Sequence, residues 1–207
     1  MLRVALTGGI ATGKTQVLRH VLARGVAAID ADDLVHAALL SGTAASRAIS
    51  SQFGPEIMEP DGAVNRKALG VRVFSDAVAR HTLETILHPT VYDAIRQWFE
   101  DSASAGMAMG VAAIPLLYET GHERDFDAVV VTACEPAAQL QRMISRDSLS
   151  GEEARHRLAA QLPIGEKVRR ADFVIRTDGT VEDTDRQVDD VLEKLRARSR
   201  ESKVKSR

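Results

Sequence analysis

Arg3-Val4-Ala5-Leu6-Thr7-Gly8-Gly9-Ile10-Ala11-Thr12-Gly13-Lys14-Thr15-Gln16 decides the fold of this chain. Gly8, Gly13, Lys14 and Thr15 fit the pattern G-x-x-x-x-G-K-[ST], a loop whose backbone N–H groups wrap a phosphate. Glycine lets the backbone curl tightly enough for several amides to meet one anion. Lys14 adds a mobile cation, and the Thr15 hydroxyl is the oxygen type that Mg²⁺ accepts. A helix beginning near Lys14 turns its positive end toward the same point.

The flanks supply the context that such a loop requires. Leu2–Leu6 is a short apolar run of the kind buried in a parallel sheet. Val17, Leu18, Val21 and Leu22 recur at helical spacing, and Gly25 stops the helix. Val26–Ile29 reads as a second buried strand, delivering the chain to Asp30-Ala31-Asp32-Asp33. Ligands of open α/β sheets bind at the carboxyl ends of strands, so these carboxylates are candidates for chemistry as well as for a helix cap. If the strand spacing continues, Asp30 and Asp32 share a face.

From 41 to 100 the pattern is helical without a strand. Helices are expected over Ala44–Phe53, Asn65–Phe74, Ala77–Leu87 and Thr90–Phe99, the last two separated by Pro89. In a βα protein this is an inserted helical subdomain. Gly110–Ile114, Ala128–Ala133 and Phe173–Ile175 resume the strand pattern. Pro136 opens a helix, Ser150 with Glu153 forms a capping-box pattern, and Val181–Leu195 closes the fold as an amphipathic helix. Between Arg142 and Arg170 cations are dense, and Arg142 and Arg146 share a helix face. That suits either a salt-bridged surface or a lid carrying arginines onto phosphates.

Composition narrows the classes. The chain has 207 residues, 44% hydrophobic and 27% charged, an ordinary globular balance. Its net charge of −2 is uneven, because residues 196–207 hold six cations against Glu201. The remaining body is therefore more acidic than the total, which argues against nucleic acid as the main partner. The tail has no aromatic residue for base stacking and reads as a frayed, disordered end. No run is long and apolar enough to span a membrane. Met1 leads straight into a strand without a secretory pattern, and the single cysteine, Cys134, suits a reducing cytoplasm. The histidines lack metal-ligand spacing, no G-x-S-x-G elbow occurs, and the only asparagine, Asn65, excludes a guanine-reading N-K-x-D motif.

The ordered motifs resemble the dephospho-CoA kinase family over about residues 2–195. They are Leu6-Thr7-Gly8-Gly9-Ile10 with Gly13-Lys14-Thr15, Ile29-Asp30-Ala31-Asp32, Leu87-His88-Pro89, Pro115-Leu116-Leu117-Tyr118-Glu119, Arg157 with Ala160-Gln161, Lys167, and Ala171-Asp172. Loop and lid alone would also suit another small-molecule or nucleotide kinase, or a non-catalytic nucleotide switch; the acceptor-side motifs favour dephospho-CoA. Three positions depart from the family pattern. Ala11 stands for a glycine, tolerable if its φ is negative; Gln16 stands for Ser or Thr; Arg176-Thr177-Asp178-Gly179 stands for an Asn-x-Gly element near the adenine.

The resemblance implies an α/β nucleotide-kinase fold with a five-stranded parallel sheet. It divides the chain into core segments 1–40, 107–141 and 166–195, a helical substrate subdomain at about 41–100 and a lid at about 142–165. It implies transfer of the ATP γ-phosphoryl to the ribose 3′-hydroxyl of dephospho-CoA, with Mg²⁺. ATP is expected on Gly8, Gly9, Ala11, Thr12, Gly13, Lys14, Thr15 and Gln16, with Arg142 and Arg146 from the lid. Asp32 is the expected base, with Lys14 and Arg142 stabilising charge. Thr7, Asp30, Asp32, Arg66, His88, Pro115 and Leu116 are expected at the acceptor, and Thr15 at the metal.

Overall fold

Val4, Ala5 and Leu6 leave at most 1% of their surface to solvent, because their strand lies in the middle of a sheet covered on both faces. The computed structural model describes residues 1–205, with side chains except at Ser75 and 202–205. The strands are β1 (Leu2–Gly8), β2 (Ala27–Asp30), β3 (Met109–Ala113), β4 (Ala128–Ala133) and β5 (Phe173–Arg176), in the order β2-β3-β1-β4-β5. β1 pairs in parallel with β3 (Leu2 with Met109) and with β4 (Val4 with Ala128), and β4 with β5 (Val130 with Phe173). The helices are α1 (Lys14–Ala23), α2 (Ala31–Ala38), α3 (Ala44–Phe53), α4 (Arg66–Ser75), α5 (Ala77–Ser104), α6 (Pro136–Asp147), α7 (Gly151–Ala159), α8 (Ile164–Arg170) and α9 (Val181–Lys205). Two compact units result: Met1–Ile29 with the chain from Asp101 onward, and Asp30–Glu100. The division falls at Asp30, before the boundary expected at 41.

In the first unit, Val4, Leu6, Val130 and Ile175 of the sheet pack with Val17 and Val21 of α1 and with Val188, Leu192 and Leu195 of α9. Burying each such side chain contributes about 1.5–3 kcal/mol. α9 is longer than its apolar pattern. It runs to Lys205, with Ser199 only 7% exposed and donating to Ala108 O at 3.0 Å, while Arg198 pairs with Asp172 at 3.1 Å. The disordered tail expected from 196 is therefore not found through 205; residues 206–207 lie outside the described residues. Polar anchors at Arg198 and Ser199, invisible to an apolar periodicity, extend the helix.

The second unit packs Ala45, Ile49, Ile57, Val64, Leu69 and Leu87 together. Its helices start on side-chain caps: Thr43 accepts from Ser46 N and Asn65 from Ala68 N, each at 2.9 Å. Pro89 does not divide α5, which is continuous from Ala77 to Ser104. Leu87, Val91, Ile95 and Phe99 are buried along it, so packing overrides the local cost of proline.

Candidate active site

Parallel strands deliver their carboxyl ends to one edge, where Gly8, Pro115, Cys134 and Thr177 leave β1, β3, β4 and β5. Space around β1 dictates glycine at its end. A Cβ on Gly8 would lie 2.2 Å from Thr132 Oγ1 and 2.7 Å from Thr132 O. Gly13 has φ 86°, the left-handed region that glycine occupies freely, and forms the N-cap of α1. No side chain caps α1, so its first amides and its positive end face outward from Gly13, Lys14 and Thr15.

Ala11 also has a positive φ, 59°, so the condition under which an alanine is readily tolerated there is not met. The loop needs this left-handed turn whichever residue supplies it, and an L side chain there costs about 1–2 kcal/mol. Side chains remote in sequence hold the loop in place. Ile10 N donates to Gln161 Oε1 at 2.9 Å, and Gln139 Nε2 donates to Ile10 O at 2.7 Å. Thr177 Oγ1 donates to Thr12 O at 3.0 Å.

Beneath the loop, Lys167 is fully buried. Its ammonium lies 2.8 Å from Glu119 Oε1 and 3.3 Å from each of Gly8 O and Pro115 O. Three donors thus meet three acceptors, the condition for burying a charge. Lys167 ties the exits of β1 and β3 together. With Gln139, Gln161 and Thr177 it belongs to the site; the sequence placed Thr177 in the element near the adenine and gave the other three no role. Lys167 and Gln161 did stand within the motif pattern, which was the available signal. Burial pushes the Tyr118 phenol up to about 12 and also raises the Cys134 thiol, so neither ionises near neutrality.

Several residues expected at ligands have hydrogen-bond partners inside the protein. Thr7 is fully buried, its hydroxyl donating to Pro115 O at 3.2 Å, so it presents nothing to a substrate. Thr12 is 1% exposed; its hydroxyl donates to Gly9 O at 2.7 Å and its N–H to the same oxygen at 3.2 Å. Gln16 gives its N–H to Gly13 O at 3.0 Å and its side-chain amide to Asp185 at 3.2 Å, closing α1 against α9. Arg142 spends its guanidinium on Thr177, at 3.0 Å to Oγ1 and 2.5 Å to O, and Arg146 binds the adjacent Asp147 at 2.7 Å. Each of these groups thus has a partner inside the protein.

In the second unit, Asp30 is the N-cap of α2, accepting from Asp32 N at 3.1 Å. The strand ends there and Asp32 lies in the first helical turn, so strand alternation does not put the two carboxylates on one face. Arg66 opens α4 and is exposed; His88 lies half-buried inside α5. Among the described residues no group of three His, Cys, Asp or Glu side chains could hold a metal ion, and no helix is long and apolar enough to cross a membrane.

A parallel sheet in this order, with a phosphate loop after its central strand, defines a P-loop kinase. Residues 2–183 match the family model for dephospho-CoA kinase. The chain is 47% identical to a dephospho-CoA kinase of Anaeromyxobacter dehalogenans, over 93% of this chain and 92% of that one. It is 40% identical to that of Geobacter sulfurreducens, over 92% and 97%. The solved dephospho-CoA kinase of Campylobacter jejuni superposes with a TM-score of 0.72 at 28% identity, covering 94% of this chain and 97% of that one. The chain belongs to the dephospho-CoA kinase family. Its reaction is ATP-dependent phosphorylation of the dephospho-CoA ribose 3′-hydroxyl, giving CoA and ADP.

Proposed function

We propose that ATP lies with its phosphates on the loop from Gly8 to Thr15 and that the acceptor hydroxyl is oriented and deprotonated by Asp32. The observation that carries this is the uncapped N-terminus of α1 at Gly13, with Lys14 and Thr15 in its first turn. Backbone amides there and the Lys14 ammonium stabilise the charge that spreads over the transferred phosphoryl. Thr15 is exposed and offers a hard oxygen, which fits Mg²⁺. The ion would neutralise phosphate charge and polarise the bond that breaks. Arg142 acts at one remove, pinning the Thr177 turn against the phosphate loop. Asp30 caps α2 and thereby fixes Asp32 in its first turn.

The helical subdomain at about 41–100, with Arg66 and His88, serves in acceptor binding, as does the Pro115–Glu119 turn. Residues 142–165 serve as the lid, with Arg146 free to exchange Asp147 for phosphate. The setting is the cytoplasm. ATP turnover measured with and without dephospho-CoA tests the reading: CoA and ADP should form in equal amounts, with Mg²⁺ required. ATP consumption indifferent to the acceptor would overturn it.

A further inference from the structure

The peptide unit is planar and trans, so a carbonyl and the N–H of the following residue point in opposite directions. A side chain that takes a loop carbonyl on the protein side thus aims the next N–H at the open side. Gln139 takes Ile10 O, which orients Ala11 N–H; Thr177 takes Thr12 O, which orients Gly13 N–H. The preceding peptide is held from the other side, since Gln161 Oε1 accepts Ile10 N–H. Ile10 is therefore gripped through both of its backbone groups by two glutamines. The residue immediately following is Ala11, left-handed at φ 59° without being glycine.

We infer that Gln139 and Gln161 are positioning residues for ATP: by clamping Ile10 they hold Ala11 in its left-handed conformation and keep its N–H aimed at the phosphates before nucleotide arrives. Three features support a built clamp. Gln139 is 5% exposed, so its amide is committed to the loop. Its Nε2 also occupies the space above Gly9, 2.5 Å from where a Cβ would stand. The two amides face opposite ways as their partners demand, nitrogen toward a carbonyl at Gln139 and oxygen toward an N–H at Gln161. Without the clamp, Ala11 relaxes toward negative φ and ATP binding must restore the turn. A family-type glycine at 11 would bear no such cost, so this chain depends on its clamp more than a glycine loop would.

The inference rests on the loop being the ATP phosphate site, so Lys14→Ala accompanies every measurement. MgATP affinity is measured by calorimetry and steady-state kinetics, and folding by thermal melting without nucleotide. Gln139→Ala and Gln161→Ala each weaken MgATP binding about two- to tenfold, the worth of a hydrogen bond, while KM for dephospho-CoA changes less than about twofold. Ala11→Gly placed in the Gln139→Ala protein recovers up to about fivefold, because the left-handed turn no longer opposes a side chain. Gln161→Glu keeps an acceptor and Gln139→Glu loses its donor. With the added charge common to both, Gln139→Glu binds MgATP more weakly. Normal binding by both alanine variants beside a defective Lys14→Ala overturns the clamp and leaves the loop reading intact. Normal binding by Lys14→Ala overturns the loop reading itself. No recovery on Ala11→Gly overturns the link to Ala11. Gln161→Ala, at the more exposed site, carries the test should Gln139→Ala fail to fold.

Discussion

The phosphate loop and the Asp30–Asp33 turn both follow a strand of one sheet, yet they are held in opposite ways. The loop's carbonyls and amides are bound by Gln139, Gln161, Lys167 and Thr177, all more than a hundred residues away in sequence. The Asp30 turn is fixed by a cap that spans two residues, Asp30 to Asp32 N. A structure held from a distance is sensitive to substitutions outside its own motif. One held locally is sensitive mainly to its own side chains. The conformation of the phosphate loop is thus a property of the folded unit, whereas the Asp30 cap is written in one short segment.

Substitutions in the two regions should therefore differ in what they cost. The largest effect belongs to the local turn. Asp32→Asn should lower kcat by about 10²–10⁴ with ATP affinity nearly unchanged, since only the proton acceptor is removed. Asp33→Asn should be mild and Asp30→Asn intermediate, through its cap. A normal rate in Asp32→Asn with an inactive Asp30→Asn would transfer the base to Asp30. Next, Lys14→Ala should cost about 10²–10³ in kcat in a folded protein, because one preorganised charge contact is lost. Wild-type turnover would break the donor-side assignment.

The remote support of the loop comes third. Lys167→Met leaves Glu119 facing Gly8 O and Pro115 O without its cation, and should cost about 3 kcal/mol in stability. Urea melts would register this, and Glu119→Gln added to Lys167→Met should restore part of it. If Lys167→Met is as stable as the wild type, the contrast loses its strongest case. Ala11→Gly should stabilise the chain by about 1 kcal/mol, by relieving the left-handed alanine, and no gain would mean the turn is unstrained. Smallest is the end of α9. Deleting 199–207 should cost about 0.5–1.5 kcal/mol through loss of the Ser199 bond to Ala108 O, with kcat unchanged. An unaltered melting temperature would return this segment to the dispensable tail expected from its composition.

The strands, the phosphate loop and the start of α1 were legible in the sequence because each is written in neighbouring residues. Apolar runs mark buried parallel strands, and Gly8, Gly13, Lys14 and Thr15 mark an anion cup whatever surrounds them. Caps at Thr43, Asn65 and Ser150 were legible for the same reason. What the sequence could not decide was where polar side chains find partners. Thr7, Thr12, Gln16 and Arg142 are expected at ligands from the family resemblance, and the structure adds that each also has a partner inside the protein. Proline at 89 suggests a break, yet packing carries α5 through it. The positive φ of Ala11, the burial of Lys167 and the two-glutamine grip on Ile10 arise where segments over a hundred residues apart converge. Local pattern determines which backbone forms; only the tertiary structure decides which polar group meets which, because a hydrogen bond depends on position in space and not on distance along the chain.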